Sequence, residues 1–235
     1  MHRAPRSGGG PPLSDLAHVE AWIFDLDNTL YPAGCNLFSQ VDRRIGEFIS
    51  RYLGIAVGEA RRLQKRFFRE HGTTLRGLMT VYGIAPEGFL DFVHDIDLSL
   101  VPPSDALAGS LARLPGRKFI FTNASKGHAA RVVERLGVAE HFEGVFDIAA
   151  ADYLPKPDPR PYRRLVEHFG IEPEASVMVE DIARNLAPAA ALGMTTVWVP
   201  GRDEWSLAGA DSAHVHYVAE DLPGWLGRFG APPSG

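Results

Sequence analysis

The chain has 235 residues, of which 45% are hydrophobic and 23% charged, and its formal net charge is −5. This composition is ordinary for a globular protein with a sizeable core, and the negative charge argues against nucleic acid or an anionic membrane as the main partner. A single cysteine, Cys35, excludes an internal disulfide, and the lack of a secretory signal or a roughly 18-residue apolar span predicts a cytoplasmic location.

Residues 1–18 and 230–235 are rich in glycine and proline, which predicts flexible tails at the two ends. The first element between them is a strand at residues 21–25, where an apolar run ends in an aspartate. In residues 35–100 apolar residues recur at helical spacing, in FSQVDRRIGEFISRYLG, VGEARRLQKRFFREHG and PEGFLDFVHDI. We therefore expect an all-α cap of about four helices, inserted after the first strand.

Beyond the insert, strand-like runs alternate with helical stretches. Strands are predicted at residues 118–122, 144–148, 176–181 and 195–199. Helices are predicted in SKGHAARVVERLG, DPRPYRRLVEHFG and NLAPAAALG, and glycines suited to helix ends close the first two. This alternation predicts an α/β fold with a doubly wound parallel sheet, formed by residues 19–34 and 101–229.

Polar residues follow four of the predicted strands, at the edge where the carboxyl ends of parallel strands meet. They are Asp25 and Asp27, Thr122 and Asn123, Lys156, and Glu180 and Asp181. Clustered carboxylates repel one another, and a hard divalent cation such as Mg²⁺ relieves that repulsion. With the cation bound, one carboxylate can attack a phosphoryl group, a second can protonate the leaving oxygen, and Lys156, Thr122 and Asn123 can stabilise the phosphoryl oxygens.

Each of these groups has a simpler structural explanation when it is considered alone. A D-x-D pair is commonly a turn or a helix cap, TNAS is a helix N-cap, Lys156 is a surface lysine, and VED is a solvated strand end. Their joint occurrence at four strand ends, each with a distinct role in one mechanism, favours the catalytic hypothesis.

Four stretches, FDLDNTLYP, FTNAS, LPKPDP and VEDIARNL, resemble motifs one to four of the haloacid dehalogenase superfamily over about residues 20–200. The resemblance implies a Rossmann-like core with an inserted helical cap. It implies that Asp25 is the nucleophile and Asp27 the general acid/base. It also implies that Thr122 binds the phosphate and that Lys156 balances the charge. It also implies Mg²⁺ bound by the Asp25 side chain, the Asp27 carbonyl and Asp181, with Glu180 acting through water and Asn185 supporting the loop.

The presence of Asp27 helps to decide which activity of the superfamily this chain has. Dehalogenating members lack this second aspartate, because a halide leaving group needs no acid, so Asp27 favours phosphate-ester hydrolysis. Phosphonate-cleaving members use a cap lysine, and the one cap lysine here, Lys65, lies in a charged helical run typical of a solvated face. A phosphosugar mutase shares the four motifs, and a non-catalytic binding protein on the same fold is a further alternative.

The cap stretch HGTTLRGLM, followed by YGI, resembles the pyrimidine 5'-nucleotidase group, as does TNASKGHA with its His128. That group usually has tyrosine before the cap glycine, where this chain has His71. The resemblance implies hydrolysis of nucleoside monophosphates, mainly UMP and CMP. We separately expect a monomer or homodimer and, from the net charge, neither nucleic acid polymers nor membranes as partners. The alternative is a phosphatase for phosphoglycolate or a sugar phosphate.

Three cap residues, Thr73, Thr74 and Arg76, are candidates for contacting the ribose, base or phosphate of a substrate. The structural alternative is that Gly72-Thr73-Thr74 caps the helix LRGLMTVYG, and the two interpretations are compatible. Cap closure would exclude water during phosphoryl transfer.

Overall fold

The computed structural model describes residues 16–201, 204–207 and 209–229. The predicted C-terminal tail and most of the predicted N-terminal tail lie outside these residues. Leu16, which falls inside the predicted N-terminal tail, is 3% exposed and packs in the largest core cluster. Leu16 thus packs in the same cluster as Trp22 and Phe24 of the first strand.

A six-stranded sheet lies at the centre of the described residues. Its strands, in chain order, are β1 (Ala21–Phe24), β2 (Arg117–Phe121), β3 (Gly144–Phe146), β4 (Ser176–Glu180), β5 (Thr195–Trp198) and β6 (Tyr217–Val218). The spatial order is β3-β2-β1-β4-β5-β6, and every neighbouring pair is parallel. The predicted doubly wound α/β sheet is confirmed, and β6 is an edge strand that the sequence pattern did not reveal.

Ten α-helices surround the sheet in the described residues. The first four after β1 form the cap, namely α1 (Leu37–Leu53), α2 (Val57–His71), α3 (Thr74–Tyr82) and α4 (Pro86–His94). The others are α5 (Asp105–Arg113), α6 (Lys126–Leu136), α7 (Pro159–Phe169), α8 (Ala187–Ala191), α9 (Glu204–Leu207) and α10 (Leu222–Leu226). Within the described part of the chain, no helix combines the length and apolarity that crossing a membrane requires.

Alternate residues of each central strand face opposite sides of the sheet, and both sides are buried. Trp22 and Phe24 enter one core cluster with residues of α5, α6 and α10. Ile23 enters a second cluster with residues of α7 and α8, such as Tyr162 and Ala189. Helices cover both faces, which explains why these strands are apolar throughout rather than alternating. Polar groups of the site therefore gather at the strand ends.

The cap has its own apolar cluster, which includes Ile49, Phe67, Leu78 and Phe89. Ile148, from the segment after β3, belongs to the same cluster and is 2% exposed. The cap is therefore seated on a loop that leaves the carboxyl end of the sheet. In open α/β sheets ligands bind at that edge, so the cap covers the expected ligand site.

Candidate active site

The turn after β1 presents Asp25 at the centre of the sheet edge. Asp25 is the first residue past the strand, and its backbone N–H donates to the Val179 carbonyl at 2.9 Å. Asn28 has a φ of 64°, a left-handed conformation that asparagine tolerates better than most residues. The chain then folds back, and the Thr29 hydroxyl donates to Asp25 Oδ2 at 2.9 Å. Local turn chemistry thus fixes one carboxylate oxygen.

Lys156 joins three segments of the core through its ammonium group. Its Nζ donates to Asp25 Oδ1 at 2.7 Å, to Glu180 Oε2 at 2.6 Å and to the Phe121 carbonyl at 2.9 Å. These bonds use all three ammonium hydrogens. Lys156 is 3% exposed, so the structural alternative of a surface lysine is wrong.

Negative charge exceeds positive charge at this strand edge. Burial and the neighbouring Glu180 raise the pKa of Asp25 to about 7, although Lys156 acts in the opposite direction. Burial, Glu180 and Asp25 also raise the pKa of Asp181 well above its ordinary value. Burial disfavours the charge of Lys156, but Asp25 and Glu180 outweigh it and raise the pKa of the ammonium. One lysine therefore offsets only part of the carboxylate charge.

The chemistry of this donor set fits a hard divalent cation. Asp25, Glu180 and Asp181 are all buried, and each offers a carboxylate oxygen within 4.8 Å of the others. Oxygen donors with surplus negative charge are the ligands that Mg²⁺ prefers. The cluster thus fits the Mg²⁺ site expected from the sequence.

Glu180 is already hydrogen bonded through both carboxylate oxygens. Oε2 accepts from Lys156, while Oε1 accepts from the Asn185 amide at 3.1 Å and from the Ile182 backbone N–H at 3.3 Å. Such engagement favours contact with a cation through water rather than directly. Asp181 is positioned through its backbone, because its carbonyl accepts from Trp198 Nε1 at 2.8 Å and from the Ser206 hydroxyl at 2.6 Å.

Asp27 lies beside the cluster in a different environment. Its Oδ1 accepts from the Tyr31 hydroxyl at 2.6 Å and is 2.9 Å from His128 Nε2. Burial acts to raise the pKa of Asp27, but His128 and the hydrogen bonds from His128 and Tyr31 outweigh it and lower the pKa to about 2. Both hydrogen bonds use Oδ1, which leaves Oδ2 for a reacting group.

Thr122 and Asn123 follow β2 and line the same cavity. The Thr122 hydroxyl accepts from the Ala124 N–H at 3.0 Å, which leaves its own hydrogen available as a donor. The Asn123 side-chain oxygen accepts from the Lys156 backbone N–H at 2.9 Å. Asn123 therefore ties the second strand end to the lysine loop, and its amide N–H₂ is the part suited to a ligand.

The three cap candidates are placed differently from one another. Thr73 lines the cavity and also caps α3 by accepting from the Arg76 N–H at 3.2 Å, so its two proposed roles are compatible. Thr74 also lines the cavity but is 5% exposed, and its hydroxyl donates to the Gln64 carbonyl at 3.2 Å within the cap. Arg76 is not among the described residues that line the cavity, and its charge acts on Asp158 instead.

A cavity of about 250 Å³ lies between the cap and the strand ends. The core supplies a polar floor, with Asp25, Asp27, Thr122, Lys156 and Asp181. The cap supplies an apolar wall, which includes Phe38, Val41, Ile45, Phe68, Phe89 and Leu90. The cavity thus combines a charged floor with an apolar compartment suited to an uncharged organic group.

Residues 19–193 match the haloacid dehalogenase-like hydrolase family. The chain belongs to this family. It is 28% identical to Phosphate metabolism protein 8 of Saccharomyces cerevisiae over 74% of this chain and 60% of that protein. It is 32% identical to a phosphoglycolate phosphatase of Rhodospirillum rubrum over 58% of this chain and 59% of that protein. The matched segments thus span about three-fifths of each of these two relatives.

The fold of this haloacid dehalogenase-like hydrolase is shared with a solved structure, the HAD phosphatase of Thermococcus onnurineus. The two have a TM-score of 0.55 at 21% identity, over 79% of this chain and 88% of the other. At this identity the likeness concerns the fold alone.

The site of this hydrolase includes groups that sequence reasoning did not single out. Tyr31 and Thr29 bond the two aspartates, and His94, at the end of α4, stacks on His128 with ring centroids 4.5 Å apart. The first two lie one helical turn beyond their partners, a spacing that gave an available signal. His94 carried no such signal, since 33 residues separate it from His128 in the sequence.

Proposed function

We propose that this hydrolase is a Mg²⁺-dependent phosphatase that converts pyrimidine nucleoside 5'-monophosphates, UMP and CMP, to nucleoside and phosphate through an aspartyl-phosphate. The single observation that carries the phosphatase chemistry is the pair Asp25 and Asp27. One carboxylate is bonded to Lys156 and lies in the acidic cluster, while the other stands outside it with a free oxygen.

In the first half-reaction the Asp25 carboxylate attacks phosphorus. The bond from phosphorus to the leaving oxygen breaks, and that oxygen takes a proton from Asp27 to give the free alcohol. Thr122, Asn123 and Lys156 are placed around the cavity floor to stabilise charge on the phosphoryl oxygens. The Asp25 and Asp181 side chains and the Asp27 carbonyl would hold Mg²⁺, whose positive charge would offset repulsion between the carboxylate and the phosphate.

In the second half-reaction Asp27 acts as a base. It accepts a proton from water as the water oxygen attacks phosphorus, and the bond from phosphorus to Asp25 breaks. Inorganic phosphate leaves, and both aspartates return to their starting states. A pKa of about 2 in the free protein suits the base role. The negative phosphate of a bound substrate raises the proton affinity of Asp27 for the acid role.

The apolar cap wall favours a nucleoside over a carboxylated leaving group. Among the described residues that line the cavity, Lys156 is the only lysine or arginine, and it lies at the core end of the cavity against Asp25 and Glu180 rather than on the cap wall. His94 also lines the cavity, but burial and His128 lower its pKa to about 3, so it is neutral near pH 7. A glycolate carboxylate would therefore lack a cationic partner, whereas a base can stack on the aromatic wall.

Hydrolysis of phosphoglycolate is the second candidate function. The observation in its favour is the name of the Rhodospirillum rubrum relative, which is 32% identical over the matched segment. The small size of the cavity, about 250 Å³, is also compatible with a small substrate.

A substrate panel with Mg²⁺ separates these candidates. Phosphate release is measured from UMP, CMP, phosphoglycolate and hexose phosphates, with a chelator control. We expect kcat/KM to be highest for the pyrimidine nucleotides. A preference for phosphoglycolate would overturn the nucleotide assignment, conversion between hexose phosphates without phosphate release would indicate a mutase, and no turnover of any substrate would indicate a binding protein. The cytoplasmic location and the oligomeric state stay predictions.

A further inference from the structure

The Asp27 carboxylate is held by two side chains that are not members of the acidic cluster. Tyr31 donates to its Oδ1 at 2.6 Å, and His128 Nε2 lies 2.9 Å from the same oxygen. Both partners are deeply buried, at 1% exposure each. Two buried contacts on one oxygen restrict rotation of the carboxylate and aim the other oxygen at the cavity.

The surroundings of the His128 ring determine which of its nitrogens donates to Asp27. Its Nδ1 is buried without a hydrogen-bond partner among the described residues. A buried N–H without a partner is costly, so the ring hydrogen belongs on Nε2, where it is donated to Asp27. The backbone N–H of His128 donates to the Ser125 hydroxyl at 3.3 Å, at the start of α6.

One face of the His128 ring packs against the cap. His94 stacks on it with ring centroids 4.5 Å apart and an interplanar angle of 18°. Nδ1 of His94 lies 2.9 Å from the Ser125 hydroxyl, and the Arg131 guanidinium of α6 donates to the His94 carbonyl. The end of the last cap helix is thereby attached to the residues that support Asp27.

We propose that His128 is a positioning residue that orients Asp27 toward the leaving oxygen, and that the stacked His94 ring holds His128 in place when the cap is closed. The inference rests on the proposed phosphatase function and deepens it. His128 touches no reacting atom, and its contribution passes through the orientation of the Asp27 carboxylate.

If His128 positions the acid Asp27, its loss should slow substrates to different extents according to their leaving groups. A purely structural role for His128 would slow all substrates alike. An alkoxide needs a proton to leave, whereas p-nitrophenolate leaves as a stable anion. Loss of the Asp27 orientation should therefore slow UMP cleavage far more than cleavage of p-nitrophenyl phosphate. The relevant quantity is kcat/KM, because it includes the steps up to alcohol release and excludes hydrolysis of the aspartyl-phosphate.

The test compares His128→Leu, His128→Gln and, as a control, His18→Leu at an exposed histidine outside the site. Glutamine carries an amide N–H the same number of bonds from the backbone as Nε2, so it can restore the donor. We expect His128→Leu to lower kcat/KM for UMP by about 100-fold or more and for p-nitrophenyl phosphate by less than about tenfold. His128→Gln should recover most of the UMP activity, and His18→Leu should match the wild type.

The outcomes separate this inference from the function on which it rests. Equal losses for the two substrates in His128→Leu, or no recovery in His128→Gln when thermal unfolding shows that it is folded, would overturn the positioning role alone. A wild-type protein that hydrolyses neither substrate with Mg²⁺ would overturn the phosphatase function and the inference together.

Discussion

Asp25 and Asp27 are separated by one residue, yet their pKa values are moved in opposite directions. Burial and Glu180 raise the pKa of Asp25 to about 7, whereas His128 and Tyr31 outweigh burial and lower that of Asp27 to about 2. Strand alternation directs the buried Leu26 between them to the core. Two carboxylates with distinct environments suit two distinct roles, one as nucleophile and one as acid/base.

Replacing Asp25 by asparagine should abolish turnover and stabilise the metal-free protein above pH 7. The folded-state pKa of Asp25 lies above its ordinary value of 3.8. The folded protein therefore binds more protons than the unfolded chain between about pH 4 and 7, and its free energy of unfolding falls as the pH rises through that window.

Asp25→Asn removes this contribution, so its melting temperature at pH 8 without metal should exceed that of the wild type by a few degrees, at about 2–4 °C per kcal/mol. Calorimetry across the pH window gives the measurement, with the exposed Asp95→Asn as a matched control. A variant that melts below the wild type at pH 8 would show that the ionised Asp25 carboxylate does not destabilise the folded protein.

Loss of the Lys156 ammonium should destabilise the fold as well as the site. In Lys156→Met, Asp25 and Glu180 would remain buried without their cation. Breaking a buried ion pair in this way costs about 3–5 kcal/mol, and phosphatase activity should be lost. Urea unfolding measures the stability, and the exposed Lys126→Met should stay within about 0.5 kcal/mol of the wild type. A neutral result for Lys156→Met would contradict the charge-balancing role.

The dependence of phosphatase activity on Mg²⁺ should be weakened or shifted by replacing Asp181. Chelation is expected to abolish activity, and added Mg²⁺ should restore it. Asp181→Asn removes a carboxylate from the acidic cluster, so the Mg²⁺ concentration for half-maximal activity should rise at least about tenfold. Asp97→Asn, in a fully exposed position of the cap exit, serves as the control. Full activity of the wild type in chelator would refute the metal site.

A cation placed on the cap wall should alter substrate preference. Phe38 lines the cavity but is 44% exposed, so Phe38→Arg should fold normally. The new guanidinium can pair with a carboxylate, so the ratio of kcat/KM for phosphoglycolate to that for UMP should rise about tenfold or more. Tyr52→Arg, an exposed aromatic replacement on the same helix outside the cavity lining, should leave the ratio unchanged.

The core of the site was accessible from the sequence because its geometry follows from strand ends. Apolar runs on both sheet faces predicted five strands, and the polar residues directly after them had to meet at one edge. The sheet ladder stops one or two residues before the predicted ends, so Asp25 and Asp181 lie just beyond their strands. The outer strand β6 was missed because two residues are too few to show a period.

The cap contacts were harder to predict from the sequence, because they depend on the rotation of each helix about its axis and on how the cap packs on the core. Thr74 was expected to contact substrate; it lines the cavity, but its hydroxyl donates to the Gln64 carbonyl within the cap, so contact with a substrate stays a prediction. Arg76 was expected there as well, but it is not among the described residues that line the cavity. His94 reaches His128 only because α4 ends over the start of α6, a tertiary relationship that no local pattern encodes.

If Asp25 is the nucleophile, it becomes phosphorylated during turnover, and the phosphorylated protein can be trapped. The Asp27→Asn variant, which lacks the base for the second half-reaction, is mixed with p-nitrophenyl phosphate and Mg²⁺, quenched in acid and analysed by peptide mass spectrometry. We expect one hydroxylamine-sensitive phosphoryl group on Asp25 and none in the Asp25→Asn, Asp27→Asn double variant. A burst of p-nitrophenol without phosphate on Asp25, or with phosphate on another residue, would contradict the role of Asp25 as nucleophile.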